Sequence, residues 1–545
     1  MKPFSASDRT EELQKLKGQS FDLIVVGGGI TGAGVARDAA QRGMKVVLLE
    51  QNDFASGTSS RSSKLIHGGI RYLENLDFKL VFEALSERRN LFTMAPHLVH
   101  PLRFLIPLYK KGRVGMFKMG LGMWFYDALS LFEAPEMHEH LNTMEAIGRI
   151  PSLQPNELMG AYEYSDAYMD DDRLVHETLR SANHYGAHCF NYLQVQSFLY
   201  DKSGKANGVI AKDKISNSEI QFSAEHIVSC LGPWTDQFAN EKIKSWKTVL
   251  RPTKGVHITF SRDRLPLSRA VVMAAEKRIV FAIPRHEMAI IGTTDTDFRS
   301  SPDSVGADVS DIDYLLKVTA DYFPGAKITK SDIIASYAGV RPLINDGADS
   351  EGKTSREHLI YQHDNKIIFV AGGKYTTYRL MAEQVVEKVL SNMTLEDRYK
   401  FSFSKSKEPL NPLATEEIMN QRSRIISELS QYKNLSEYEN QKLADRFGQE
   451  ALEIRNRYPT NWNYFQIEAA HAIEHTRCMN ILDFYARRAP LILSLADHGI
   501  SQFQSVFEVF KTLLSESKFS ESEQKKLLQD HISRELHWKF ADAHH

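Results

Sequence analysis

The sequence predicts an α/β protein with a Rossmann-type domain, a separate domain built on a mixed or antiparallel sheet, and an all-helical C-terminal domain. Three observations lead to this prediction. Residues 21–50 contain a strand, a glycine-rich turn, a helix and a second strand. Residues 256–295 contain short apolar runs typical of antiparallel strands. Residues 413–545 contain only two glycines and two prolines, and apolar residues recur there at helical spacing.

The unit at residues 21–50 is typical of a dinucleotide-binding site. Phe21–Val26 reads as a buried strand, and the apolar run before Glu50 reads as its parallel neighbour. Between them, the G-x-G-x-x-G spacing is formed by Gly27, Gly29 and Gly32. Such glycines allow a tight turn, close approach of a pyrophosphate and close packing of the helix on the strand. The N–H groups at the helix start favour phosphate, and Glu50 can accept hydrogen bonds from a ribose.

Composition and charge exclude several classes of protein. At 545 residues the chain is too long for one hydrophobic core. Its composition, with 42% hydrophobic and 25% charged residues, is typical of a soluble globular protein. A formal net charge of -2 argues against a nucleic-acid partner. Cys189, Cys230 and Cys478 form no C-x-x-C pair, which fits a reducing compartment and excludes thiolate zinc clusters. Residues 1–18 are polar and contain acids, unlike a secretory signal or a transit peptide.

One apolar segment, Gly115–Phe132, is a candidate for membrane contact. It is shorter than the ~20 apolar residues that a spanning helix needs, and it contains Lys118 and Asp127. It could instead lie in a membrane interface, with Trp124 and Tyr126 at headgroup depth. A buried helix or a subunit contact would explain the same composition.

Other elements follow from periodicity and turn residues. Phe78–Met94 predicts an amphipathic helix. The acids Asp170–Asp172 are better explained by capping of a helix start than by a metal site, so no metal is predicted. Apolar alternation predicts strands at residues 189–200, 210–222, 226–230, 256–295 and 332–344. Residues 359–390 repeat the opening arrangement, with a strand pair, Gly372 and Gly373, and then a helix.

Eight motifs together resemble one family. They are VVGGGITGAGVARDAA, TSSRSSKLIHGGIRYLE, EYSDAYMDDDRLV, GPWTD, KGVHITF, IGTTD, YAGVRPL and GGKYTTYR, in the family's order over about residues 20–390. On these motifs the chain resembles the FAD-dependent, quinone-linked (aerobic) glycerol-3-phosphate dehydrogenases. The resemblance implies a glycine-oxidase-like fold in which the FAD-binding domain is interleaved with the substrate-binding domain. It implies FAD as cofactor, and oxidation of sn-glycerol 3-phosphate to dihydroxyacetone phosphate with hydride transfer to flavin N5. It also implies a quinone acceptor and a cytoplasmic protein that is peripheral on the inner face of the inner membrane and often a homodimer.

The resemblance also divides the chain and names candidate residues. The FAD-binding domain is expected at residues 18–80, 165–245 and 356–400, the substrate-binding domain at 81–164 and 246–355, and the helical domain at 401–545. The expected cofactor-binding residues are Gly27, Gly29, Ile30, Thr31, Gly32, Glu50, Thr58, Ser59, Ser60, Ser63, Leu65, His67, Gly68, Gly69, Gly232, Trp234, Gly373, Lys374, Thr376 and Thr377. The expected catalytic residues are His257, Lys374, Arg341, Arg71, Tyr72 and Arg356.

Three of these residues have a chemical argument of their own. Arg341 is the preferred phosphate clamp, because guanidinium suits bidentate recognition of a phosphate. Lys374 follows two glycines and precedes a helix, so it could stabilise charge on the flavin or on the substrate oxygen. His257 is the preferred base, since the ordinary pKa of histidine is near neutrality. A lone histidine on an alternating strand can equally be a hydrogen-bonded polar residue without a catalytic role.

Three alternatives remain open. A glycerol-3-phosphate oxidase would share the flavin and phosphate residues and pass electrons to oxygen. Another FAD-dependent amine or amino-acid oxidase on this fold would need a carboxylate-binding arginine, without the cationic set around GVRPL and GGK. A nucleotide-binding scaffold with a regulatory role would not need these clustered cations.

Overall fold

The computed structural model describes residues 1–70, 77–244, 246–275, 278–345, 357–432, 434–514 and 519–541. An eight-stranded sheet carries the glycine turn. Its strands are β1 Ser20–Val26, β2 Val46–Leu49, β7 His188–Phe190, β8 Leu193–Tyr200, β9 Ala206–Asp213, β10 Glu219–Ser229, β17 His358–Gln362 and β18 Ile368–Gly372. In the order β17-β18-β10-β1-β2-β7, only the β17–β18 pair is antiparallel. The carboxyl ends of the parallel strands therefore meet at one edge, where such sheets bind ligands.

The parallel strands of this sheet are covered on both faces, which explains why β1 is apolar almost throughout. Leu23 and Val25 pack in a core formed with three helices, α2 Ile30–Gln41, α6 Asp171–His184 and α9 Tyr378–Leu390. Phe21 and Ile24 pack in the opposite core with the β8–β9 hairpin, α1 Arg9–Lys15 and α7 Thr235–Lys242.

A second sheet of ten strands stands beside the first. Its strands are β3 Leu65–Ile66, β4 Val99–Tyr109, β5 Glu139–Leu141, β6 Leu158–Met169, β11 Leu250–Ser261, β12 Ala270–Ala275, β13 Arg278–Arg285, β14 Met288–Gly292, β15 Thr296–Asp297 and β16 Ala335–Ile344. All its pairs are antiparallel except β4–β12. The β11–β16 ladder is long and sets Gly255 directly opposite Gly339.

Several predicted strands have other bounds in the structure. Residues 189–200 form two strands, β7 and β8, and the predicted strand 226–230 is the end of β10, which stops at Ser229. The alternation over residues 210–222 belongs to two strands, β9 and β10, because the chain turns after Asp213 through Asn217, whose φ is 57°. The segment 332–344 becomes a strand only at Ala335, since a 3₁₀ turn precedes it.

The C-terminal region is helical, as predicted. It follows α10 Leu395–Lys400 and contains α11 Glu416–Asn420, α12 Arg422–Leu429, α13 Glu437–Phe447, α14 Glu450–Arg457, α15 Tyr464–His475, α16 Ile481–Arg487, α17 Leu491–Ser494, α18 Phe503–Leu514, α19 Glu521–Glu535 and α20 Trp538–Ala541. The helices from α11 to α19 share a core of their own, with Leu443, Ile467 and Phe484 buried in it, whereas Trp538 of α20 packs in the core of the second sheet.

Four more helices are inserted between strands of the second sheet or lie just before its first long strand. They are α3 Phe78–Met94, α4 Met116–Leu129, α5 Thr143–Arg149 and α8 Val309–Tyr322. Among the residues that the structure describes, no helix is both long enough and apolar enough to cross a membrane. The residue ranges predicted for the three domains stay a prediction.

Candidate active site

A cavity of about 540 Å³ is lined by strand ends of the first sheet and by β11 and β16 of the second. Its wall includes Glu50 after β2, Cys230 after β10, and Lys374 after β18. His257 of β11 and Arg341 of β16 belong to the same wall. The cavity therefore joins the glycine turn to the candidate catalytic residues of both sheets.

The glycine turn after β1 is closely packed. Gly27 has a φ of 110°, and a Cβ there would lie 2.5 Å from the Cys230 carbonyl oxygen. A Cβ on Gly32 would lie 1.9 Å from the Gly27 carbonyl oxygen. The Ile30 N–H donates to Ser59 Oγ at 3.0 Å. The first turn of α2 is thus held against β1 with its N-terminus at the cavity, which is the arrangement of an anion site.

The Glu50 carboxylate is oriented by the backbone. One oxygen accepts from the Gly28 N–H at 2.7 Å, and the other accepts from the Asn52 N–H at 2.8 Å. Burial raises the pKa of Glu50, and these two N–H groups oppose the rise. Each carboxylate oxygen keeps a second lone pair, so the pair can still accept hydrogen bonds from ribose hydroxyls.

The serine-rich loop joins the two sheets. The Thr58 hydroxyl donates to the Val340 carbonyl of β16 at 2.6 Å. The Ser62 hydroxyl and the Lys64 ammonium donate to the Asp171 carboxylate at 2.7 Å and 2.5 Å. Because these side chains are used as anchors, the loop is fixed where it passes along the cavity.

The acidic run Asp170–Asp172 differs from the predicted helix cap. Asp170 is the N-cap residue of α6, but its side chain accepts no capping bond. It accepts from Arg285 at 2.6 Å and lies 3.1 Å from His286 Nε2. Although burial opposes it, Arg285 and His286 hold the pKa of Asp170 well below its usual range. A buried carboxylate is costly unless a cation pairs with it. The acidic run therefore forms ion pairs that join α6 to the second sheet, instead of capping the helix.

His257 is buried at the cavity wall. Its Nε2 lies 2.8 Å from Ser63 Oγ, and its ring stacks on Tyr337 with centroids 4.7 Å apart. Burial, Arg341 and Lys64 lower the pKa of His257 well below its ordinary value, so the imidazole is neutral at neutral pH. Its Nδ1 is buried and has no hydrogen-bond partner among the described residues.

Arg341 is held in the cavity wall by the chain that follows β14. Its guanidinium donates to Asp295 and to the Thr293 hydroxyl, both at 2.9 Å, and to the Thr294 carbonyl at 3.3 Å. A Cβ on Gly255 would lie 2.5 Å from Nη2 of the Arg341 guanidinium. The glycine therefore leaves the space into which the guanidinium extends.

The second glycine turn brings Lys374 to the cavity. Gly372 and Gly373 both have positive φ, 71° and 87°. A Cβ on Gly373 would lie 2.4 Å from the end of Met381 in α9. A short 3₁₀ turn then leads into α9, with the Thr376 hydroxyl 3.5 Å from the His67 carbonyl.

Most of the residues predicted for the cofactor line the cavity. They are Gly27, Gly29, Ile30, Thr31, Glu50, Thr58, Ser59, Ser63, Leu65, His67, Gly232, Trp234, Gly373, Lys374 and Thr376. Those outside its wall are Gly32, Ser60, Gly68, Gly69 and Thr377. Gly68 lies behind the wall because its N–H donates to the Tyr126 hydroxyl at 3.0 Å. Of the catalytic candidates, His257, Arg341 and Lys374 line the cavity; Arg71, Tyr72 and Arg356 lie outside the described residues.

Some wall residues were not predicted. Gly255 and Gly339 stand opposite each other in β11 and β16, and a Cβ on Gly339 would lie 2.9 Å from the Arg61 carbonyl. An isolated glycine inside a strand marks close approach of other atoms, so this pair carried a usable signal. Asp303 and Gln237 also line the cavity, and nothing in the sequence pattern singled them out.

These observations fit a bound FAD. The wall offers a helix N-terminus for the pyrophosphate, a carboxylate for the ribose, and a set of cations beside His257, whose buried Nδ1 has no partner in the described part of the chain. A separate group, Glu450, His471 and His475, has metal-like spacing in the helical region. Both oxygens of that glutamate already accept from Arg180, at 2.6 Å and 3.2 Å, so the group reads as an ion-pair network.

Comparisons with known proteins agree with this reading. The family model described as DAO, FAD dependent oxidoreductase, matches residues 22–379. An aerobic glycerol-3-phosphate dehydrogenase of Bacillus subtilis is 35% identical over 498 residues, which are 89% of this chain and 90% of the relative. Another from Staphylococcus saprophyticus is 38% identical over 396 residues, 72% of this chain and 71% of the relative.

Solved structures agree as well. The X-ray structure of the glycerol-3-phosphate dehydrogenase from Bacillus halodurans complexed with FAD has a TM-score of 0.77 at 28% identity, covering 97% of this chain and 98% of that one. Glycine oxidase from Geobacillus kaustophilus has a TM-score of 0.53 at 19% identity over 72% of this chain and 99% of that one, which shows a shared fold alone. The predicted glycine-oxidase-like fold and the FAD cofactor are confirmed. The chain belongs to the DAO family of FAD-dependent oxidoreductases and, within it, to the aerobic glycerol-3-phosphate dehydrogenases.

Proposed function

We propose that the protein oxidises sn-glycerol 3-phosphate to dihydroxyacetone phosphate with bound FAD and passes the electrons to a quinone. In this proposal it acts on the cytoplasmic face of a membrane, and the residue ranges predicted above form its FAD-binding, substrate-binding and helical domains. The choice of substrate is supported by the cationic part of the cavity, where Arg341 and Lys374 line the same wall as His257. A phosphate dianion in a partly enclosed cavity needs such cations, whereas an amino-acid substrate needs a single arginine for its carboxylate.

The roles of the chain's own residues follow from their contacts. Arg341, oriented by Asp295 and Thr293, is the proposed phosphate clamp. His257 is the preferred acceptor for the proton of the C2 hydroxyl, because its imidazole is neutral and one nitrogen is unpartnered among the described residues. Lys374 is proposed to stabilise negative charge on the ring system or on the substrate oxygen. The chemistry that bound FAD would supply at this site is acceptance of the hydride from C2.

The function is tested by adding glycerol 3-phosphate to the purified flavoprotein without oxygen. We expect the absorption band of oxidised flavin to bleach, and unphosphorylated glycerol at the same concentration to leave it unchanged. Re-oxidation is then followed with a short-chain quinone or with dissolved oxygen. Bleaching with rapid re-oxidation by oxygen and release of peroxide would instead favour the oxidase. A flavin that does not bleach would contradict the proposed substrate.

The membrane surface is proposed to be the outer face of α4, within the segment singled out in the sequence. Three aromatic side chains of this helix are strongly exposed, Phe117 at 81%, Trp124 at 58% and Phe125 at 56%. The expectation that Tyr126 lies at headgroup depth is wrong, because its ring is buried and its hydroxyl donates to Asp166. Phe78 of the neighbouring α3 extends the patch, with its ring centroid 6.4 Å from that of Phe125. Exposed basic residues lie just before and within the helix, at Lys110, Lys111, Arg113 and Lys118. Aromatic and basic residues together suit the interface of an anionic bilayer.

Replacing Phe117 or Trp124 with serine is expected to weaken binding to vesicles roughly ten- to a hundredfold, since burial of one aromatic side chain contributes about 1.5–3 kcal/mol. Co-sedimentation with phosphatidylglycerol vesicles measures the loss. Leu395→Ser is the matched control, because Leu395 of α10 is 85% exposed but lies outside the patch. Unchanged vesicle binding together with a fall in molecular mass from dimer to monomer would show that a second copy of the chain covers α4 instead.

A further inference from the structure

Asp53 lies in a tight turn directly after Glu50. The Asn52 N–H donates to the Glu50 carboxylate at 2.8 Å, and the Ala55 N–H donates to the Gly28 carbonyl at 3.1 Å. The ring of Phe54 is packed so closely that a Cβ on Gly28 would lie 2.8 Å from it. The turn and the glycine motif therefore form one packed unit, and a shift of Asp53 moves both.

The helical region holds this turn from outside. Asp53 is 1% exposed, and its carboxylate accepts from Arg487 Nε at 2.6 Å and from both terminal nitrogens of Arg488, one of them at 3.0 Å. Asn191 adds a fourth donor at 3.2 Å. Although burial opposes it, Arg488 and Arg487 lower the pKa of Asp53, which therefore stays ionised. The strongest contacts of the turn thus come from residues more than four hundred positions away.

The two arginines are themselves fixed. Arg487 also donates to Asp483 at 2.9 Å, and that carboxylate accepts from the Tyr192 hydroxyl at 2.6 Å. Arg488 donates to the Thr476 carbonyl at 2.9 Å and to its hydroxyl at 3.1 Å. Both guanidiniums are therefore rigid supports within the helical region, and they transmit its position to the Asp53 turn.

We propose that Arg487 and Arg488 are positioning residues for the cofactor, and that the helical C-terminal region retains FAD by fixing the turn that carries Glu50. Neither arginine lines the cavity, so each acts through Asp53. This gives the helical region a role that the activity alone does not assign. The proposal rests on the assignment of Glu50 to the adenosine end of FAD, and it does not depend on the identity of the oxidised substrate.

Conservative variants test the proposal without removing charge. Arg488→Lys and Arg487→Lys holoenzymes are diluted, and the rise in flavin fluorescence reports the release of FAD. We expect release about tenfold faster than in the parent, since each variant loses charge-assisted hydrogen bonds at Asp53. Competition by ADP for the site should weaken by a similar factor, because ADP occupies only the adenosine end. The rate at which the FAD still bound is reduced by substrate should stay unchanged.

Arg180→Lys is the matched control. Arg180 is equally buried and links α6 to the helical region through Glu450 at 2.6 Å, but it does not contact the Asp53 turn. It should lower thermal stability and leave FAD release at the parent rate. Equal acceleration by Arg180→Lys would mean that domain docking in general retains FAD, and it would overturn the proposal. So would parent-like release in both test variants. If Arg488→Lys does not fold, the FAD release rate of Arg487→Lys tests the proposal. In that variant Arg488 still neutralises Asp53, so the fold is retained.

Discussion

Replacing Gly32 with alanine is expected to give a protein that purifies without FAD. The added Cβ would lie 1.9 Å from the Gly27 carbonyl oxygen, and that atom belongs to the backbone. Alanine gains about 1 kcal/mol of helix propensity over glycine. Overpacking of a core costs about 1–3 kcal/mol, and here the clash with a fixed carbonyl can be relieved only if the start of α2 moves away from β1. That movement takes the helix N-terminus away from the pyrophosphate position.

The ratio of flavin to protein absorbance in the purified variant measures this effect, and circular dichroism checks that the helices are retained. Gly34→Ala is the control. Gly34 lies in the same helix and is also buried, but a Cβ there would meet the side chains of Ala382 and Tyr378 at 3.0 Å and 3.1 Å. This overlap is smaller, and a shift of α9 by a few tenths of an ångström relieves it without moving the start of α2, so Gly34→Ala should lose some stability and keep its FAD. A Gly32→Ala protein with stoichiometric FAD would refute this account of the turn.

The first sheet and the glycine turn were predictable because their signals are local. The strand, the glycines, the helix and the acidic residue at Glu50 follow one another within residues 21–50, and each is specified by its own neighbours. The β9–β10 turn was missed because it interrupts an apolar alternation without glycine or proline. Its conformation is stabilised by Asp213, which accepts from the Ser216 hydroxyl at 2.6 Å.

The candidate site was predictable only in part, and the reason is the distance along the chain. Motif resemblance identified His257, Arg341 and Lys374, and in the structure all three residues line one cavity. Arg488 supports the Asp53 turn from a position 435 residues later in the chain. No sequence pattern around either residue indicates the other. The role of Asp171 as an anchor for Lys64 was missed for the same reason, since an acidic residue in a first helical turn has a sufficient local explanation.

Replacing Arg341 with methionine is expected to lower kcat/KM for glycerol 3-phosphate roughly a thousandfold, since two charge-assisted hydrogen bonds to a phosphate together contribute about 4 kcal/mol. The side chain is 22% exposed, so water can replace only part of this interaction. Turnover of unphosphorylated glycerol at high concentration should change little. Steady-state rates with an artificial acceptor, on protein of known FAD content, measure both substrates. Equal loss for both would mean that Arg341 serves the reaction centre and not the phosphate.

The partner of Arg341 makes this prediction sharper. Without the guanidinium, Asp295 would lose the cation that pairs with it at 2.9 Å, and its carboxylate would repel the incoming dianion more strongly, in addition to the lost attraction. Arg341→Met combined with Asp295→Asn should therefore recover part of the lost kcat/KM. Arg251→Met is the control, since Arg251 of the neighbouring strand β11 pairs with Asp297 at 3.2 Å but does not line the cavity. A merely structural ion pair predicts the opposite pattern, in which Asp295→Asn alone is as harmful as Arg341→Met and the double variant recovers nothing. Recovery in the double variant therefore separates a charge that attracts substrate from a charge that only holds the loop after β14.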